Sequence, residues 1–202
     1  SSLTATQVSM GIAALHNIDA EGIPSIVHTD ITPSQFVFKD GIYKLNDFNR
    51  ARFLKRNATL LKHSNSDKNN GNNNTATCDY YVGRNPGKIR SPEEYKHEPQ
   101  SEKVDIYSMG NIFYMLLTGL WPFEGMGEDQ AQKEVMEGRR PLVPKRILEI
   151  ADPRVRAVLR AMLLCYTQDP KKRATAREVK RLLKTELGVH DPTAMKRWGL
   201  EQ

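Results

Sequence analysis

The stretch from residue 27 to residue 49, VHTDITPSQFVFKDGIYKLNDFN, decides the fold. Within it, Asp40-Gly41 separates two short runs of β-type residues, 36–38 and 42–45, and this pattern predicts a β-hairpin. Asp30 precedes the hairpin, and Asp47 follows seventeen residues later. The two carboxylates therefore sit at the ends of one tight β element and can face a common point.

Two nearby carboxylates can divide catalytic work. One can accept or orient a hydroxyl proton while the other binds a divalent metal. The alternative is a pair of turn residues, because aspartate side chains also favour loops. The spacing alone leaves both interpretations open.

Outside this stretch the sequence is mostly helical in pattern. Helices are predicted over 4–17, 128–138, 154–165 and 175–187. The last of these carries a capping-box pattern, Thr175 with Glu178, and Gly188 is expected to end it. The apolar face of the 154–165 helix is expected to comprise Val155, Val158, Leu159, Met162 and Leu163. The pattern predicts a mainly α protein with a small β element (α+β).

Residues 106–123 carry no charge over 18 positions, which is long enough to span a membrane. Ser108, Asn111 and Pro122 interrupt the apolar pattern, so a buried central helix is the preferred interpretation. Membrane association is not indicated.

Composition narrows the class of protein. A chain of 202 residues with 39% hydrophobic and 27% charged residues is globular rather than disordered. Residues 139–202 hold 16 Lys and Arg against 7 Asp and Glu, and a solvated basic face is favoured over nucleic-acid binding. Two cysteines form no disulfide framework, which indicates an intracellular and specifically cytoplasmic protein. Residues 64–75 contain six asparagines and are expected to form a mobile loop.

Several motifs resemble those of eukaryotic protein kinases. HTDITPSQ at 28–35 is similar to the catalytic-loop motif HRDLKxxN, and DFN at 47–49 is similar to DFG. Four further matches occur in the family's order. They are SPE at 91–93 for APE, DIYSMG at 105–110 for DxWSxG, GLWPF at 119–123 for GxxPF, and DPKKRAT at 169–175 for DPxxRPT.

The resemblance covers residues 4–187 and implies the helical C-terminal lobe of a kinase, with the small hairpin at its catalytic loop. It implies a kinase domain over 1–187, an activation segment over 50–93 with the insert at 64–75, and a tail over 188–202. No GxGxxG loop or VAIK strand occurs in this chain, so an N-terminal lobe is expected upstream of Ser1. The implied reaction transfers the γ-phosphate of ATP, with Mg²⁺, to a Ser/Thr or Tyr hydroxyl of a protein substrate.

The resemblance also assigns roles to residues at the site. Asp30 corresponds to the catalytic base, and Asp47 to the residue that holds Mg²⁺ at the ATP phosphates. Gln35 stands where the family has the asparagine that binds a second Mg²⁺. Thr32 stands where the family has the lysine that neutralises the transferred phosphate.

Further roles are structural. His28 and Phe48 are expected to stack, and Asp105 to bond the backbone of the catalytic loop. Glu93 and Arg173 are expected to form a buried ion pair.

Departures from the family motifs support a second interpretation, a pseudokinase that acts as a scaffold or allosteric partner. Thr29 replaces the arginine of HRD, and Asn49 replaces the glycine of DFG. Thr32 supplies no positive charge, although charge stabilisation provides most of phosphoryl-transfer catalysis. Lys39 and Lys44 are the cations that the sequence offers nearby. A lysine or arginine that replaces the charge lost at Thr32, within reach of the γ-phosphate, would favour the enzyme.

Overall fold

The computed structural model describes residues 2–19, 23–54, 80–83 and 85–197. The helices are α1 (Ser2–His16), α2 (Pro92–Tyr95), α3 (Lys103–Thr118), α4 (Glu128–Met136), α5 (Lys145–Leu148), α6 (Pro153–Cys165), α7 (Ala176–His190) and α8 (Pro192–Arg197). The strands are β1 (Ile26–Val27), β2 (Phe36–Lys39), β3 (Ile42–Leu45) and β4 (Arg52–Phe53). Short 3-10 turns occupy Pro33–Gln35 and Phe48–Arg50. The expected mainly helical fold is confirmed.

Helix α3 lies at the centre of the molecule. Ile106, Met109 and Phe113 are fully buried within one apolar core that also receives residues of α1, α6 and α7. Residues 106–118 of this helix carry no charge, and a helix surrounded by protein on nearly every side has such an apolar sequence. Within the described ranges, no helix is both long and apolar enough to cross a membrane.

Helices α3 and α6 approach closely at Gly110. A Cβ atom at this position would lie 2.9 Å from Cys165 Cβ and 3.3 Å from two ring carbons of Tyr166. Both neighbours are fully buried, so neither has room to move away. The glycine is therefore a packing requirement of this helix pair.

We expect Gly110→Ala to lower the free energy of unfolding by about 1–3 kcal/mol, the usual penalty of overpacking. Gly11→Ala is a matched control, because Gly11 is also helical and a Cβ there would meet nothing closer than 3.6 Å. Alanine in a helix with room for it is favoured by about 1 kcal/mol. Thermal unfolding should place the two variants on opposite sides of the wild type. Equal melting temperatures would contradict the close-packing argument.

The hairpin β2–β3 forms at the predicted turn. Asp40 and Gly41 both have positive φ, 55° and 79°, as a two-residue type I′ turn requires. The strands are antiparallel, with Phe36 paired to Leu45 at the open end. Beyond that pair, the N–H of Asn46 donates to the carbonyl oxygen of Gln35 at 2.8 Å. The open end thus brings together the two loops that carry Asp30 and Asp47.

Helix α1 packs against the hairpin and forms hydrogen bonds with it. The Gln7 side chain donates to the Gly41 carbonyl at 3.2 Å and accepts from the Tyr43 N–H at 3.3 Å. A second short ladder, β1 with β4, pairs Ile26 with Phe53 on the other side of the loops. The two ladders hold the loops between them.

Two local expectations were wrong. Gly188 does not end α7, which runs to His190, where the Asp191-Pro192 pair stops it because proline disfavours helical geometry in the residue before it. Leu163 is 43% exposed, since α6 turns its small residues, Ala157, Ala161 and Cys165, toward the core instead. Helix α7 does begin at the predicted capping box of Thr175 and Glu178. The asparagine-rich stretch 64–75 lies outside the described residues.

Candidate active site

Asp105, in the first turn of α3, holds the loop before the hairpin by its backbone. One carboxylate oxygen accepts from the N–H of His28 at 2.7 Å, and the other accepts from the N–H of Thr29 at 2.8 Å. The Nε2 atom of His16, on α1, lies 2.9 Å from the first oxygen. All four residues are buried, so this carboxylate joins two helices to the loop inside the protein.

Thr29 occupies the left-handed region with φ of 63°, which is rare for a β-branched residue. Its polar groups are all engaged: the N–H with Asp105, the hydroxyl with the Arg50 carbonyl at 2.8 Å, and its own carbonyl with Arg90 at 2.7 Å. Such a conformation persists only where surrounding contacts determine it. The contacts of Thr29 therefore fix the direction in which Asp30 leaves the backbone.

The Asp30 carboxylate receives two side-chain hydrogen bonds. Arg90 donates from Nη2 to Oδ1 at 2.7 Å, and Gln35 donates from Nε2 to Oδ2 at 3.2 Å. The Asp30 side chain is 22% exposed, whereas that of Arg90 is 8% exposed. One face of the carboxylate therefore remains accessible to a substrate while its orientation is held from behind.

Asp47 follows strand β3 and also has left-handed geometry, with φ 57° and ψ 75°. Its Oδ1 accepts from the Asn49 N–H at 3.3 Å, which caps the short turn at Phe48–Arg50. The neighbouring carbonyl of Asn46 lies 2.9 Å from His28 Nε2. The His28 and Phe48 rings are 5.4 Å apart and tilted by 59°. Asp47 itself is exposed to solvent.

The oxygen-bearing side chains suit a magnesium ion bound together with phosphates. Mg²⁺ in such sites usually takes one or two carboxylates, keeps several waters and binds substrate phosphates. The Asp47 carboxylate and the Gln35 amide oxygen are ligands of this kind, on loops joined at the open end of the hairpin. Among the described residues no group of three or more His, Cys, Asp or Glu forms a closed metal cage. Asp47 and Gln35 are the side chains here that could hold such a metal.

Arg90 is the cation at this site that sequence reasoning missed. Lys39 and Lys44, the cations that the sequence offers nearby, lie exposed on the hairpin strands. Thr32 contacts Ser34 through their hydroxyls at 2.7 Å. Arg90 stands directly before the Ser91-Pro92-Glu93 motif, but no spacing rule links it to a carboxylate 60 residues earlier. The fold alone brings the two together.

The segment before α2 is fixed from several sides. The Ile89 carbonyl accepts from the Ser108 hydroxyl at 3.2 Å and from Asn111 Nδ2 at 2.9 Å, both on α3. The Tyr95 hydroxyl accepts from the Arg90 N–H at 3.1 Å. The backbone from which Arg90 projects is thus anchored to the core.

Glu93 and Arg173 form an ion pair with almost no solvent exposure. Arg173 donates from Nη1 to Oε1 at 2.6 Å and from Nη2 to Oε2 at 2.9 Å. Its remaining N–H groups donate to the carbonyls of Thr167, Lys103 and Gln168, and its charge lies over the Tyr107 ring. The pair ties α2 to the loop before α7.

Glu94 is buried beside this pair and closes the capping box of α2. Its Oε2 accepts from both the N–H and the hydroxyl of Ser91 at 2.8 Å. Burial raises the pKa of Glu94 to about 7, and the Ser91 bonds and the charge of Arg90 oppose that rise only in part. Between its ordinary value of 4.5 and 7, the folded chain holds a proton that the unfolded chain has released. Stability is therefore lost as pH rises through this window.

We expect Glu94→Gln to stabilise the protein at pH 8 by roughly 3 kcal/mol at most, and to leave stability nearly unchanged at pH 5. Glutamine retains the capping bond while removing the buried charge. Glu178→Gln in the second capping box is the control, because bonds from Thr175 lower the pKa of Glu178 and its charge is favourable. That variant should melt at a lower temperature than the wild type at pH 8. A Glu94→Gln gain that is the same at both pH values would contradict the assignment.

Comparisons with known proteins place this geometry in a family. The family model described as "Protein kinase domain" matches residues 2–182. The chain is 30% identical over 183 residues to dual specificity protein kinase pyk3 of Dictyostelium discoideum. The aligned region covers 88% of this chain and 11% of that protein. It is 30% identical over 169 residues to dual specificity protein kinase TTK of Mus musculus, covering 83% of this chain and 18% of that protein. The chain thus spans less than a fifth of the length of either relative.

A solved structure of titin kinase and its flanking domains shares the fold. It superposes with a TM-score of 0.63 at 22% identity, covering 91% of this chain and 29% of that chain. The family model spans α1 through the first half of α7, including both loops and the α2 segment. On the extent of that match, the chain belongs to the protein kinase family.

Proposed function

We propose that this chain is the catalytic lobe of a protein kinase that transfers the γ-phosphate of ATP to a hydroxyl group of a protein substrate. The observation that carries the proposal is the junction of the two carboxylate-bearing loops. A backbone bond between Asn46 and Gln35 and the contact of His28 with the Asn46 carbonyl join them. Two carboxylates on joined loops can serve one reaction centre.

The roles follow from what each carboxylate can reach. Asp30, accessible on one face, would orient the substrate hydroxyl and accept its proton. Asp47, with Gln35, would hold Mg²⁺, which supplies charge neutralisation at the phosphates. Thr32 would line the transfer site without adding charge. Relatives named as dual specificity kinases support serine, threonine or tyrosine as acceptor.

An N-terminal kinase lobe is part of the proposal, with a cytoplasmic setting. An open cleft of about 590 Å³ lies where α1 meets the hairpin. Ile18 and Phe48 line this cleft and are 62% and 49% exposed, and Phe38 on β2 is 61% exposed. A second lobe seated there would cover these residues and close over the nucleotide.

A pseudokinase scaffold is the second candidate, and specific residues favour it. Thr32 lacks the positive charge of the family lysine, and Gln35 carries its amide oxygen one methylene further from the backbone than asparagine would. Both changes weaken charge stabilisation at the transferred phosphate. They affect transfer more than nucleotide binding.

The deciding experiment measures Mg·ATP binding and transfer of labelled γ-phosphate to a mixed protein substrate. It uses the natural polypeptide that contains this sequence. We expect both binding and transfer. Binding without transfer would favour the scaffold, and absence of both would overturn the kinase proposal.

A further inference from the structure

We propose that Arg90 is the positioning residue for Asp30 and the counter-charge that allows the site to accept the γ-phosphate. The inference rests on the proposed function. Arg90 lies outside the sequence motifs, on the segment that leads into α2.

The Arg90 guanidinium bridges two hydrogen-bond acceptors. One guanidinium nitrogen donates to Asp30 Oδ1 and the other donates to the Thr29 carbonyl, both at 2.7 Å. The planar guanidinium fixes the angle between its donors, so the carboxylate is held relative to the backbone that carries it. Gln35 holds the second oxygen. The carboxylate plane is therefore determined by Arg90 and Gln35 together.

The support of Arg90 is rigid. Its own N–H is bonded to the Tyr95 hydroxyl, and the preceding carbonyl of Ile89 is held by Ser108 and Asn111. Its side chain is 8% exposed. With its charge bonded to Asp30 and little of its side chain exposed, Arg90 would act on a nucleotide through this carboxylate.

Electrostatics gives this contact its functional meaning. An Asp30 carboxylate without a counter-charge would repel the γ-phosphate of ATP, and Thr32 cannot offset that repulsion. Arginine remains charged at any physiological pH. At 2.7 Å from Oδ1, it neutralises the field of Asp30 at the point where the phosphate must approach. Arg90 thus supplies the positive charge that Thr32, on the loop itself, does not provide.

The test measures the affinities of Mg·ATP and Mg·ADP for the full natural polypeptide and its variants. Arg90→Ala should weaken Mg·ATP binding about tenfold, the effect of an unscreened charge several ångströms away, and Mg·ADP binding much less. Adding Asp30→Asn to Arg90→Ala should restore ATP affinity, because the repelling charge is then gone. A loss that is equal for both nucleotides, or that the double variant fails to restore, would overturn the proposal.

Transfer kinetics separate positioning from charge. Arg90→Lys keeps the charge but cannot bridge both acceptors, so it should retain ATP affinity while kcat falls by about 100-fold, the usual effect of a misplaced group. Guanidinium ion added to Arg90→Ala should recover part of kcat. An unchanged kcat in Arg90→Lys would overturn the positioning role.

The nucleotide affinities keep this inference distinct from the proposed function. A wild-type protein that binds ATP without transfer, but shows the expected ATP and ADP differences, would refute catalysis and support the role of Arg90. A wild-type protein that binds neither nucleotide would overturn both.

Discussion

Arg173→Ala should lower the free energy of unfolding by about 3–5 kcal/mol, which corresponds to a fall in melting temperature on the order of 10 °C. The guanidinium uses its full set of N–H donors, two toward Glu93 and the others toward backbone carbonyls. Removing it leaves the Glu93 carboxylate buried without a counter-charge, and desolvated charge is the dominant penalty in such variants.

Arg154→Ala is the matched control for this prediction. Arg154 also makes a short contact with a carboxylate, 2.8 Å from Asp152, but both partners are substantially exposed. Exposed pairs contribute about 0–1 kcal/mol. Denaturant unfolding of the two variants should therefore differ several-fold in effect. A small loss for Arg173→Ala would show that Glu93 finds water or another donor when its partner is removed.

Asp30→Asn should reduce phosphate transfer by about 10²–10⁴-fold, the usual contribution of a positioned acid or base. Asparagine keeps the shape of the side chain and one acceptor oxygen for Arg90. The Gln35 amide can rotate to present its oxygen to the new NH₂ group, so the local hydrogen bonds survive. Mg·ATP affinity should be at least that of the wild type, because Asp47 is untouched and Arg90 keeps its positive charge.

The control for this prediction is Asp40→Asn, the same chemical change in the hairpin turn. Asp40 is exposed with positive φ, and Asn-Gly is a favoured type I′ turn pair. Transfer by that variant should match the wild type. Undiminished transfer by Asp30→Asn would remove Asp30 from the proposed mechanism.

Local signals predicted the parts of the structure that depend on neighbouring residues. Asp40-Gly41 placed the hairpin turn, and Thr175 with Glu178 placed the start of α7. These features are determined within a few residues, so the sequence carries them directly. The prediction that α7 ends at Gly188 was wrong because the end of a helix depends also on the residues that follow. Here these are Asp191-Pro192 and the docked helix α8.

Contacts between distant segments were harder to predict. The exposure of Leu163 depends on which face of α6 packs against α3. The small residues occupy that face, and the sequence pattern of α6 does not reveal this. The pairing of Glu93 with Arg173 was anticipated only through family resemblance. The pairing of Arg90 with Asp30 had no such guide, because it arises from the path of the chain into α2.

Asp105 holds the loop that carries Asp30 through main-chain N–H groups, which every residue except proline provides. Neither the bond to residue 28 nor the bond to residue 29 uses a side chain of the loop. Mutation can therefore rewrite the chemistry of the loop without loosening its shape.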